Sequence, residues 1–231
     1  MPRTSWVRCV SSVALLLLPA VGCRTVAVDQ PALAGWEELA QPPAPFAALY
    51  RLTCCGQRDL PTVVRFQPGQ LAVSVSMPPG GVVWEGWFDA DGGAARSRGD
   101  RCVSPLPDGR LWLSGGVSLP VEASLWATLL AGRLPLGVAP LEGQSGWLMA
   151  RLAEGRLLAR CAGQPLRCLE IRLEGEGSAR VVIRMDRHHG RVPGRIRAVT
   201  GKQRLALELA EWGPGFALSP PDWLSWPRCG S

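Results

Sequence analysis

The stretch QLAVSVSMPPGGVVWEGWFD, residues 70–89, decides the fold class. Leu71, Val73 and Val75 fall on one face of an extended chain, and Ala72, Ser74 and Ser76 on the other. That two-residue period is the mark of a strand with one dry and one wet face. Pro78-Pro79-Gly80-Gly81 then breaks the run, and Val82 to Asp89 resumes it, so the segment reads as a hairpin. The same alternation begins near Leu60 and recurs at residues 110–114, 146–152, 156–161, 166–173, 180–185, 195–199 and 204–209. In the last of these, Leu205, Leu207 and Leu209 oppose Arg204, Ala206 and Glu208.

With 27 Gly and 21 Pro in 231 residues, long uninterrupted helices are excluded. One segment departs from the strand period. Ser118 to Gly132 reads as a helix capped by Ser118, with Pro120 in its first turn, Gly132 at its end and an apolar stripe of Leu125, Trp126, Leu129 and Leu130. A shorter helical turn is expected at Trp36 to Leu39, resuming at Phe46 to Tyr50. The prediction is a mainly β (α+β) chain. A single curved antiparallel sheet of about ten or eleven strands forms an incomplete barrel, with a short N-terminal helix and an inserted helix as lid or plug. Residues 46–231 make one domain ending in a Pro-rich tail, after a tether at 23–45 and a leader at 1–22.

The leader reading rests on Arg3 and Arg8 ahead of the short apolar run Val13 to Leu18, which cannot span a bilayer of ~30 Å as a helix. Ala20-Val21-Gly22-Cys23 resembles the lipobox of bacterial lipoproteins, which implies cleavage before Cys23 and then acylation of that residue. Arg24, in place of an Asp, implies an outer-membrane destination facing the periplasm. Removing Arg3 and Arg8 lowers the formal charge from +6 to +4. The remaining basic residues are dispersed, and Lys202 is the only lysine, so no nucleic-acid groove is expected.

Export places the remaining cysteines in an oxidising compartment, where Cys54, Cys55, Cys102, Cys161, Cys168 and Cys229 are disulfide candidates. Six cysteines allow roughly fifteen connectivities. Cys161 and Cys168 are close enough to bridge across a turn at Gly163-Gln164-Pro165, provided a bulge corrects their parity. Neighbouring Cys54 and Cys55 call for separate partners, such as Cys102 and Cys229. No C-x-x-C pair exists, and no metal or other cofactor is expected.

Leu113 to Pro135, LSGGVSLPVEASLWATLLAGRLP, resembles the glycine, helix and Gly-x-x-Pro stretch of the bacterial lipoprotein-localisation family, which includes the periplasmic carrier LolA and the outer-membrane acceptor LolB. Pro193 to Leu209 is similar to that family's basic strand and the strand after it, and Ser76 to Gly80 falls where the acceptor has an apolar loop. The resemblance spans residues 46–219. It implies a half-open barrel that binds acyl chains of lipoproteins, or lipid, and hands them on without chemical change. The cavity would be lined by Leu71, Val73, Val75, Trp84 and Trp112 on strands and by Trp126, Leu129 and Leu130 on the helix. Met77, Pro78 and Pro79 would touch the membrane, and a periplasmic carrier or envelope protein would be the partner. The acceptor's protruding leucine has no equivalent, and the cysteines lie outside the family pattern.

Plain core packing competes with cavity lining for Trp126, Leu129 and Leu130. In the alternative reading the barrel is filled and the protein is an accessory envelope-assembly lipoprotein, docking a protein partner through Trp223 and Trp226. Catalysis is not expected. His188 and His189 are adjacent in a turn and face opposite ways, and Gly-Gln-Ser145-Gly is not a nucleophile elbow.

Overall fold

The computed structural model describes residues 33–229, apart from 55, 80, 107–109, 114–116, 154 and 176–179. For 110–113 and 117–121 it describes the backbone only. The chain opens with α1 (Trp36–Leu39) and runs through β1 (Phe46–Cys54), β2 (Gln57–Gln67), β3 (Gln70–Ser76), β4 (Val82–Asp89), β5 (Gly92–Ser97) and β6 (Ser104–Leu106). A hairpin of β7 (Arg110–Leu113) and β8 (Val117–Glu122) leads into α2 (Ala123–Leu130). The second half holds β9 (Ala139–Pro140), β10 (Trp147–Leu152), β11 (Gly155–Ala162), β12 (Arg167–Glu174), β13 (Val181–Asp186), β14 (Arg195–Thr200) and β15 (Gln203–Pro214), before a single 3₁₀ turn at Asp222–Ser225.

Thirteen of these strands form one antiparallel sheet in the order β6-β5-β4-β3-β2-β1-β15-β14-β13-β12-β11-β10-β9, while β7 and β8 pair only with each other. The sheet does not close. Its edges are β6 and β9, and the chain between those edges is the β7–β8 hairpin followed by α2. The incomplete barrel of the sequence reading is therefore present, with more strands than expected. The additions to the large sheet are β1 and also β5, β6 and β9, the last three carrying few apolar residues to reveal a period.

Two segments expected as helix are strand. Phe46–Cys54 is the central strand β1, paired with β2 and β15 over its length. Phe46, Ala48, Tyr50, Leu52 and Cys54 turn inward there, so tertiary pairing overrides the helical propensity of Ala-Ala-Leu. The helix forecast from Ser118 starts only at Ala123, because residues 117–122 pair with Arg110–Leu113 instead. Neither Ser118 nor Pro120 belongs to the helix. Its C-terminus is as expected. Gly132, at φ +68°, donates to the Leu129 carbonyl at 3.0 Å and Arg133 donates to that of Thr128 at 2.9 Å, a Schellman ending. A Cβ on Gly132 would stand 2.0 Å from the Arg191 carbonyl oxygen, so the position needs glycine for space as well as for conformation.

The inner face of the sheet and α2 share one apolar core. Behind the sheet lies a smaller core of Trp87, Val103 and Trp223. The C-terminal tail is strapped over it by the Cys102–Cys229 disulfide and by Val103, whose N–H donates to the Pro227 carbonyl and whose carbonyl accepts from Cys229, both at 2.9 Å. This pairing removes Cys102 and Cys229 as partners for Cys54 and Cys55, contrary to expectation. Cys54 is buried, and Cys55 lies outside the described residues. Trp223 is only 6% exposed, so it does not form part of a surface patch.

Candidate functional site

The concave face is built by alternation on β1 to β4. Leu71, Val73, Val75 and Trp84 point inward and are buried. Trp126, Leu129 and Leu130 of α2 meet them from the other side, with Leu129 at 0% exposure. All seven belong to one continuous core, so the structure brings together the strand and helix residues singled out from the sequence. For Trp112, only its backbone place on β7 lies within the described part.

No backbone hydrogen bond among the described residues joins α2 to the large sheet, so side-chain packing alone seats the helix there. Its trailing end is better secured. Leu134 donates to the Leu39 carbonyl at 2.7 Å, Arg133 bonds the Glu38 carbonyl, and Arg191 pairs with the Glu38 carboxylate. Helix α1 thus latches the segment that leaves α2.

Two polar groups inside this core lack hydrogen-bond partners among the described residues: the hydroxyl of Tyr50 and the indole Nε1 of Trp126. Burial pushes the Tyr50 phenol far above its ordinary pKa. Each is a donor held in apolar surroundings, an arrangement that native cores usually avoid.

The expected Cys161–Cys168 bridge is not formed. The two residues are opposed across β11 and β12, and the required register shift is present next to Cys161. Both remain buried thiols. A hydrogen bond with Cys161, reinforced by burial, pushes the Cys168 thiol well above its ordinary pKa, so its environment disfavours a thiolate. His188 Nε2 lies 2.9 Å from the Cys168 carbonyl and therefore carries the proton of the neutral ring. Burial first, and the nearby Arg167 charge, lower its pKa, although that hydrogen bond and Asp186 act the other way. The described residues hold no cluster of metal-ligating side chains.

Two concavities on the outer face were not visible in the sequence. One, of about 810 Å³, lies between the strap and the sheet, with Leu49, Ala72, Trp87, Phe216 and Leu218 on its walls and Arg65 and Glu85 beside them. The other, of about 740 Å³, is lined by Arg58, Arg184, Arg197 and Arg204 over Val182 and Ala206. The loop at Met77, Pro78 and Pro79 is exposed.

No protein-family model matches the chain, and no curated protein matches it in sequence. Solved structures do match. A domain named for outer membrane lipoprotein sorting, from Vibrio parahaemolyticus, aligns over 84% of this chain and 96% of its own, with TM-score 0.54 and 9% identity. The chain has the fold of that domain. A LolA superfamily protein from Nitrosomonas europaea aligns over 82% of this chain and 94% of its own, with TM-score 0.50 and 12% identity. At such low identity the LolA likeness is one of backbone architecture: an unclosed antiparallel sheet with an inserted helix.

Proposed function

We propose that this protein is a non-catalytic lipoprotein that binds acyl chains, of another lipoprotein or of a lipid, inside its half-barrel, and acts in lipoprotein localisation or lipid handoff at the outer membrane. The observation that carries the reading is the seat of α2. The helix covers an apolar concave face between the two open edges of the sheet, and among the described residues side chains alone hold it to that sheet. Displacing α2 would expose Leu71, Val73, Val75 and Trp84 to an incoming chain, and burial at ~25 cal/mol per Å² would then offset the lost packing. The orphan donors of Tyr50 and Trp126 suit the ester or amide carbonyl that an acylated ligand brings with it. Acylation at Cys23 would hold the protein on the membrane, with Met77, Pro78 and Pro79 as a second point of contact.

The test uses the exported form, starting at position 23 with Cys23→Ser, in native mass spectrometry and in photolabelling by a diazirine-bearing palmitate. Near-stoichiometric lipid, with label on Trp126, Leu129 or Leu130, is the expected result. A folded protein that carries no lipid and takes no label on α2 would overturn the reading. The accessory docking role would then be left, without Trp223 as its exposed contact.

A further inference from the structure

The outer face of β13 to β15 carries an arrangement that folding alone does not favour. Arg184 and Arg197 stand directly opposite each other across β13 and β14, and like charges so placed destabilise a sheet. Arg204 pairs in register with Val199, two residues from Arg197 on the same strand, so it lies diagonal to that arginine. Arg58, from the first residues of β2, completes a concavity of about 740 Å³ with an apolar floor of Val182, Val199 and Ala206 and, among the described residues, no carboxylate on its walls. Glu170 and Asp186 partly balance Arg184 and Arg197, at 3.4 and 2.5 Å. Arg58 and Arg204 are exposed and make no ion pair among the described residues.

Strand directions add a second observation. Following the antiparallel registers, Arg58 at the β1–β2 turn, Lys202 and Arg204 at the β14–β15 turn, and the β3–β4 loop all come to the same end of the sheet. That loop presents Met77 and Val82, each 39% exposed, together with Pro78 and Pro79. One end of the molecule therefore offers apolar side chains beside exposed guanidinium groups, the combination that suits the boundary between headgroups and acyl chains.

We infer that the Arg58, Arg184, Arg197 and Arg204 concavity binds the phosphate of an anionic phospholipid headgroup. The planar guanidinium forks match phosphate oxygens in pairs, and Val182, Val199 and Ala206 receive the adjoining glycerol carbons. The site lies on the opposite face of the sheet from the concave core and does not depend on what that core binds.

The exported Cys23→Ser protein is sedimented with vesicles of phosphatidylcholine alone and of phosphatidylcholine mixed with phosphatidylglycerol. Preference for the anionic vesicles is expected, with roughly thirtyfold weaker binding in the Arg58→Gln/Arg204→Gln variant. The Arg156→Gln/Arg180→Gln variant loses the same charge from residues that pair with Glu174 outside the concavity, and is expected to bind within about twofold of the wild type. Thermal unfolding of both variants checks that they are folded. Competition by inorganic phosphate separates the two sources of the group: displacement means the site takes free phosphate as well, and its absence means the group is held only within a bilayer. Equal losses in the two variants, or no preference for anionic vesicles, would overturn the inference.

Discussion

Replacing Leu129 by alanine tests both the packing of α2 and its role as a moving cover. The side chain is fully buried among the strand residues of the concave face. Truncation removes three carbons from a site walled by sheet and helix, and such changes cost ~2.7–5 kcal/mol according to how far the surroundings collapse. Because α2 makes no backbone hydrogen bond to the sheet among the described residues, it can settle towards the gap, which favours the lower part of that range, about 3 kcal/mol. For a chain of this size the melting temperature should fall by roughly 6–12 °C. Leu136→Ala is the control. That leucine is 73% exposed, and its loss should change stability by less than about 0.5 kcal/mol. Palmitate binding, measured by calorimetry, completes the test. If α2 must leave its seat before a chain can enter, weakening that seat raises the binding-competent fraction, and apparent affinity rises by up to about a hundredfold. A melting temperature no lower than that of the control would mean α2 is not seated in the core. A normal fall with weaker palmitate binding would refute opening by displacement of α2.

Tyr50→Phe removes a buried hydroxyl with no partner among the described residues, so stability to urea should increase by about 1 kcal/mol, and a loss of that size would reveal a hydrogen bond to the hydroxyl. Burial works to raise the pKa of Glu170, but the hydrogen bond from Arg172 and the charges of Arg172, Arg184 and Arg160 outweigh it and hold the carboxyl below its ordinary 4.5. A lowered folded-state value means the stabilisation is complete above the unfolded value and is lost as pH falls through the folded one. Glu170→Gln should therefore cost roughly 1–2 kcal/mol at neutral pH, discounted because its arginine partners are partly exposed, and flatten the acid limb of the stability profile below about pH 4.5. Cys102→Ser with Cys229→Ser opens a link between residues 127 apart, for which loop entropy sets an upper limit of about 5 kcal/mol. The expected result is cleavage by protease between Phe216 and Pro221 and a red-shifted tryptophan emission as Trp223 leaves Trp87. Wild-type resistance would mean the buried Trp223 and the Val103 backbone bonds hold the strap unaided.

Alternation of apolar and polar residues marked β3, β4 and β10 to β15, because each such strand has one dry and one wet face and records that division in its own side chains. Gly132 marked the end of α2 for an equally local reason, since only glycine takes that backbone turn without strain. The same logic failed where a segment fits two periods. Phe46 to Tyr50 satisfies a helix or a strand, and pairing with β2 and β15 decides between them. Residues 117–122 likewise became strand because Arg110–Leu113 lay ready to pair. The disulfide that did form was also decided at long range, when the tail crossed the outer sheet and brought Cys229 to Cys102. The residues proposed to line the concave site were legible as inward-facing positions on separate elements, and their convergence in one core was not. The arginine concavity left no trace in the chain order, since Arg58 is separated from Arg184, Arg197 and Arg204 by more than half of the sequence. Period and turn chemistry act between neighbours and are written locally. Which faces meet depends on strand order and register, and those are set by burying the whole apolar face at once.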